Sequence, residues 1–286
     1  MLTSVDADAS APYLDPSVTH LIFWSTRMAH RLATLVTGAS SGIGAALAAS
    51  FAREPSRVLI LVARRTAPMH ALAEELKTRF GTETQVIEAD LEVPGAASKL
   101  LAQVDQLGLT VDTLINNAGF GLNGPLHEMT LARVSGMLQL NITALTELTH
   151  GVLPAMRARR SGRILNVASI AAFQPCPNFA AYGASKAYVM SFSEALAIEV
   201  ETSGITVTAV CPGSTASGFH SVAGSDRSLV AKFMDSPETV AAQAYKALQN
   251  GERVIVTGWV NKPLPMMSRL MPRTMLARIT GKLMAK

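Results

Sequence analysis

Short aliphatic runs alternate with longer amphipathic stretches along most of the chain. Leu32–Thr37, Val58–Ala63, Gln85–Ala89, Val111–Ile115, Arg163–Val167, Thr206–Val210 and Arg253–Val256 are apolar and rich in β-branched residues, as strands buried on both faces are. Between them, helical patterns cover Gly42–Arg53, about Pro68–Phe80, Gly95–Leu107, Leu126–His150, 180–202 and Pro237–Leu248. Strands that alternate with helices predict parallel strands joined by right-handed crossovers, with helices on both faces. The fold class expected is therefore α/β: a three-layer, doubly wound Rossmann fold with a mostly parallel sheet of seven strands. No repeat and no Pro- or Ser-rich linker divides it, so residues 32–258 read as one domain.

Composition bears this out and removes other classes. Of the 286 residues 49% are hydrophobic and 16% charged, which suits a buried core and not a disordered chain. No apolar run approaches the roughly 18 residues needed to span a bilayer. Residues 1–31 read as a poorly ordered extension. Asp6, Asp8 and Asp15 stand where a secretory leader would be positive, and the run Leu21–Trp24 is short for its apolar core. Cys176 and Cys211 form no metal or redox motif, so reduced thiols and a cytoplasmic location are expected, with no metal. Asn141-Ile-Thr143 matches a glycosylation sequon that nothing else supports.

Charge is uneven. All 21 acidic residues lie at or before Glu252, whereas seven of the 25 basic ones follow it, so the chain is net −3 up to Glu252 and +7 beyond. The basic character belongs to the tail, and stacking aromatics are scarce, which argues against a nucleic-acid surface. In the tail Met267, Leu270, Met271, Met275, Ile279 and Leu283 recur at helical spacing among the basic residues. Residues 259–286 are thus a basic amphipathic extension with three readings: a helix packed on its own domain, an arm over the substrate pocket or a partner subunit, or a peripheral membrane contact.

Chemistry enters at the strand ends. Thr37-Gly-Ala-Ser-Ser-Gly-Ile-Gly44 follows the first strand and opens the first helix. Glycines at 38, 42 and 44 let a pyrophosphate approach backbone N–H groups at a positive helix end, with Ser40, Ser41 and Ile43 completing the turn. A plain helix cap by Ser40 or Ser41 is the bland reading. Gly38-Ala-Ser40-Ser-Gly42 is also a literal nucleophile elbow, but no oxyanion motif accompanies it and the histidines are poorly ordered for a serine hydrolase. At the end of the second strand, where a carboxylate would hold a ribose 2′-hydroxyl, the chain has Ala63-Arg64-Arg65. A guanidinium there, assigned to Arg64, favours a 2′-phosphate, hence NADP(H).

Asn116-Asn-Ala-Gly119, Asn141, Ser169, Tyr182-x-x-x-Lys186 and Pro212-Gly213 complete a set whose order and spacing resemble the short-chain dehydrogenase/reductase family over about residues 32–257. The chemistry is consistent. Tyr182 and Lys186 lie one turn apart, and a nearby ammonium would lower the phenol pKa for proton transfer to an alkoxide. Ser169, at the carboxyl end of its strand, could polarise a carbonyl. The resemblance implies that Lys186 also holds the nicotinamide ribose, and that Asn141 supports a proton relay. It further implies that Asp90 and Leu91 border the adenine, that Asn117, Ala118 and Gly119 pass beneath the adenosine, and that Pro212, Gly213 and Thr215 flank the nicotinamide. It implies a homodimer or homotetramer through the helices at about 126–150 and 180–202. Residues 214–236 are expected to form a substrate lid that includes His220, while Phe120, Phe173, Cys176 and Phe179 suggest an apolar pocket for a small hydrophobic carbonyl or alcohol. A non-catalytic NADP-binding sensor on the same fold is the other reading, disfavoured by the presence of the whole catalytic set.

Overall fold

The structure, a computed structural model, describes residues 30–54, 57–215 and 234–284. The expected extension at 1–29 and residues 216–233 of the expected lid lie outside the described residues.

The seven strands are β1 (Arg31–Thr37), β2 (Val58–Ala63), β3 (Thr84–Glu88), β4 (Leu109–Asn116), β5 (Gly162–Val167), β6 (Ile205–Cys211) and β7 (Val254–Val256). They pair in parallel in the order β3-β2-β1-β4-β5-β6-β7, the doubly wound sheet that the alternation implied. The period of two sorts side chains between two cores. Val58, Ile60 and Val62 of β2 face one core, against α3 (Ala96–Gln106), α5 (Leu145–Arg159) and α6 (Ala180–Val200). Leu59 and Leu61 face the other, against α1 (Gly42–Phe51), α2 (Thr66–Phe80) and α7 (Pro237–Gln249). Each fully buried Leu or Ile contributes about 1.5–3 kcal/mol, so the strands are held by burial on both faces. The reversal of winding between β1 and β4 opens a crevice at their carboxyl ends, where the glycine turn also lies.

Two helices differ from expectation. The long helix anticipated over Leu126–His150 begins later and runs further. Leu126–Glu128 is a single 3-10 turn, and Met129 and Thr130 are extended. α4 (Leu131–Leu138) then leads through a wide π-helical stretch, Gln139–Ala144, into α5, which continues to Arg159. Pro154 lies inside α5, on its water-facing side with His150, so water can take the hydrogen bond that Pro154 does not make. The tail is not one helix: Pro272 separates α8 (Leu264–Leu270) from α9 (Arg273–Met284). Among the described side chains of α9 Leu276 and Thr280 are buried, while Met267, Leu270, Met275 and Ile279 of the apolar series are exposed. The described residues from Arg31 onward form one compact unit, tail included.

Candidate active site

The glycine turn is built for close approach. Gly38 and Gly42 have φ of 67° and 56°, the left-handed region that glycine occupies without strain. A methyl group on Gly38 would stand 2.7 Å from Nδ2 of Asn117, and one on Gly44 would collide with the Gly38 carbonyl oxygen. Asn117 ties the turn to the end of β4. Its Nδ2 donates to the carbonyls of Thr37 (2.9 Å) and Gly38 (3.3 Å), while Oγ1 of Thr37 accepts from the N–H groups of Asn117 and Ala118. Ser41 occupies the capping position of α1 in an extended conformation, but its side chain makes no capping hydrogen bond. The bland capping role is thus unfilled by Ser41, and the positive end of α1 opens onto the turn.

The two arginines after β2 diverge. Arg64 turns away, with Nη1 2.6 Å from Oε1 of Glu92. Arg65 bends over the turn, its Nη2 donating to Oγ of Ser41 (3.0 Å) and of Ser40 (3.3 Å). Arg64, expected to meet a 2′-phosphate, is thus paired with Glu92, and Arg65, which the sequence reading did not single out, is the one bonded to the turn. Two adjacent arginines at a strand end point opposite ways, which gave the signal, but not which of them faces the glycines. Ser40 meets a guanidinium there, which offers no base to a nucleophile. Asp90 accepts the N–H of Glu92 at 3.0 Å, and Leu91 is buried beside it.

Four of the sequence-predicted residues converge at the ends of β4 and β5. Ser169 follows β5 in extended conformation, and its Oγ accepts from the N–H of Ala171 at 3.1 Å. Tyr182 sits in the first turn of α6, buried and hydrogen-bonded to Ser169. Lys186, one turn on, is also buried, with Nζ 2.7 Å from the Val167 carbonyl and 6.0 Å from the centre of the Tyr182 ring. Asn141 lies in the π-helical stretch. Its amide accepts from the N–H of Phe120, donates to the Phe120 carbonyl (3.0 Å) and donates to Oγ of Ser185 (3.1 Å). Gly119 is wedged among them: a methyl there would stand 2.9 Å from Oδ1 of Asn141 and 3.4 Å from Nζ of Lys186.

Burial dominates the electrostatics. It pushes the Tyr182 phenol up to about 12, against a downward pull from the Ser169 hydrogen bond. It pushes Lys186 down to about 8. The expectation that Lys186 lowers the phenol pKa is not met in this arrangement, because the ammonium is turned to Val167 and both charges are desolvated.

The remaining predicted residues flank this cluster. The Pro212 carbonyl accepts from the N–H of Ile170, next to Ser169. Oγ1 of Thr215 donates to the Gly213 carbonyl at 3.2 Å. Asn261, which no sequence pattern singled out, donates to the Thr257 carbonyl and packs so closely on Gly213 that any side chain there would clash with it. Its signal is purely tertiary, since it follows β7 while Gly213 follows β6. Of the expected pocket residues, Phe120, Cys176 and Phe179 cluster with Met137 and Tyr182, the Phe179 and Tyr182 rings being 5.9 Å apart edge to face. Phe173 joins a different group, against Leu145, Ala168, Val189 and Cys211. His220 lies outside the described residues. Among the described residues, no group of three or more His, Cys, Asp or Glu side chains could hold a metal ion.

Comparison with known proteins agrees with this fold. Residues 32–228 match the family model described as short chain dehydrogenase. A ketoacyl reductase of Nostoc sp. is 31% identical over 216 residues, 76% of this chain and 75% of that protein. A short-chain dehydrogenase from Sphingobium yanoikuyae, solved in complex with NADPH, superposes with a TM-score of 0.73 at 30% identity, covering 84% of this chain and 96% of that one. A bulky-bulky ketone specific alcohol dehydrogenase from Comamonas testosteroni gives a TM-score of 0.71 at 28% identity, over 85% and 92% of the two chains. The doubly wound sheet and its glycine turn define a dinucleotide-binding fold. The chain belongs to the short-chain dehydrogenase family.

Proposed function

We propose that the protein is an NADP(H)-dependent carbonyl reductase or alcohol dehydrogenase of that family, acting on a bulky apolar ketone or the matching secondary alcohol. The observation that carries it is Tyr182: a buried phenol, hydrogen-bonded to Ser169, one turn from Lys186, at the carboxyl edge of the sheet. Three features support the cofactor: a side-chain-free cradle at Gly38 and Gly44, an open α1 terminus, and a guanidinium above two hydroxyls where a 2′-phosphate would lie. When bound, NADP(H) supplies or accepts the hydride.

The chain's own residues do the rest. The Ser169 hydroxyl donates to the substrate oxygen and polarises the carbonyl. Tyr182 gives its proton to the oxygen of the nascent alkoxide, or takes it back in the reverse direction. Lys186 would hold the ribose hydroxyls of the bound cofactor and, once turned from the Val167 carbonyl, would offset the charge left on Tyr182. Asn141 fixes the backbone at Phe120 and, through Ser185, the turn of α6 that carries the Tyr182 carbonyl. Phe120, Cys176 and Phe179 exclude water beside the phenol and favour an apolar substrate. The exposed Leu131 of α4 and Ile198 of α6 suit a homodimer or homotetramer through these helices, working in the cytoplasm.

The test is NADPH oxidation across ketones of graded bulk and hydrophobicity, with Tyr182→Phe in parallel. Turnover should rise with apolar bulk, and the variant should lose about 100- to 10,000-fold in kcat while retaining NADPH binding by fluorescence. Full turnover with phenylalanine at 182 would sink the proton-donor role.

A further inference from the structure

The segment after β7 leaves an unusual surface uncovered. Trp259 (81% exposed), Met266, Met267, Leu270 (76% exposed), Met275 and Ile279 all face out. Over residues 259–284 Lys262, Arg269, Arg273, Arg278 and Lys282 are exposed, and no acidic residue is present. α9 packs on the body through a different side. Leu276 and Thr280, one turn apart, are buried, and a methyl on Gly281 would stand 3.2 Å from Cγ of Pro177. The strip of Met275 and Ile279 is therefore not the face that anchors the helix.

The two helices repeat one pattern. In each, an exposed methionine is followed three residues on by an arginine and four residues on by an aliphatic residue: Met266, Arg269 and Leu270 in α8, then Met275, Arg278 and Ile279 in α9. At about 100° per residue each arginine lies about 60° to one side of its apolar strip, so the strip and its guanidinium reach the same boundary. We propose that residues 259–284 dock the protein on an anionic phospholipid surface, the apolar strips entering the headgroup region and Arg269, Arg278 and Lys282 beside them meeting lipid phosphates and carboxylates. A second copy that paired this segment with itself across a two-fold contact would set like charges face to face with no acidic residue to offset them. Among the described residues no helix is long and apolar enough to cross a membrane, so the contact is peripheral. Both ends of the segment border the candidate site, Asn261 against Gly213 and Gly281 against Pro177, so docking holds the rim of that site near the lipid.

The test is co-sedimentation of the full chain with phosphatidylcholine vesicles containing or lacking about 30% phosphatidylglycerol. The anionic vesicles should capture at least about tenfold more protein at about 50 mM salt, and about 500 mM salt should release most of it. The triple variant Leu270→Asp/Met275→Asp/Ile279→Asp should abolish capture. Arg269→Glu/Arg278→Glu should abolish the preference for anionic lipid, and circular dichroism should show both variants folded. Equal capture by neutral vesicles, no capture by anionic ones, or wild-type capture of the triple variant overturns the proposal. So does a fall in oligomer size in the triple variant with capture unchanged, which would make the strip a contact between copies. The readout involves no turnover, so its failure leaves the reductase assignment standing.

Discussion

Replacing Arg65 by glutamine should separate NADPH from NADH. The guanidinium is held above the glycine turn by the hydroxyls of Ser41 and Ser40 at 3.0 and 3.3 Å. A 2′-phosphate at this place would accept one or two charge-assisted hydrogen bonds from it, each worth about 1.5–3 kcal/mol. Arg65 is exposed, so the low end applies, about 1.5 kcal/mol or roughly tenfold in kcat/KM. The expected result is a roughly tenfold or greater loss with NADPH and less than about threefold with NADH, which has no phosphate to lose. Arg64→Gln should cost less, because Arg64 is already committed to Glu92 at 2.6 Å. Adding Glu92→Gln to Arg65→Gln should restore a few-fold of NADPH efficiency, since Arg64 is then free to turn inward. Steady-state kinetics with both cofactors at several salt concentrations measures all of this. If Arg64→Gln loses as much as Arg65→Gln, the assignment to Arg65 is wrong. If NADH suffers equally, Arg65 serves a part of the cofactor common to both.

Gly44→Ala should abolish nucleotide binding and lower the thermal midpoint, because the methyl would collide with the Gly38 carbonyl and the turn must open; calorimetry with and without NADPH reports both, and a variant still stabilised by NADPH would refute the cradle. Lys186 has its pKa lowered from the usual 10.5 to about 8, so it is charged below that pH and loses its charge as pH rises through it. The kcat/KM for ketone reduction should fall as pH rises past about 8, and Lys186→Arg, whatever activity it keeps, should lack the break; the same break in Lys186→Arg would assign the titration elsewhere.

The strands and the glycine turn were legible because their signals are local. Seven apolar runs separated by helical stretches imply a sheet without any knowledge of pairing, and Thr37–Gly44 carries both its glycines and its strand–helix context. What escaped needed tertiary information. The apolar spacing of residues 126–150 is helical throughout, yet the backbone is extended at Met129 and Thr130, and the wide turn at Gln139–Ala144 is tied through Asn141 to Phe120 and to Ser185 of α6. That wide turn carries Asn141 and aims its amide at the backbone of β4's end, a placement no periodicity encodes. The direction of Arg64 hangs on Glu92, 28 residues away. The break at Pro272, by contrast, was written in the sequence, and the apolar series across it read as one face only when the proline was overlooked.

The least legible property is the protonation of the Tyr182–Lys186 pair, and it bears on direction. An i,i+4 pair seen in isolation suggests an ammonium stabilising a phenolate. Burial reverses the order of the two groups: the phenol rises to about 12 and the ammonium falls to about 8. Below pH 8 Tyr182 therefore holds its proton while Lys186 holds its charge, which is the state a ketone reductase needs at the start of its cycle. In the oxidative direction Tyr182 would first have to ionise in a desolvated site, with Nζ of Lys186 turned to the Val167 carbonyl. Reduction, as proposed above, starts from this protonation state and ends on the phenolate from which oxidation starts, so either direction needs Lys186 to leave Val167 and face the phenol. It follows that the reductive pH profile should show no ionisation of Tyr182 below pH 10, only the loss of charge on Lys186.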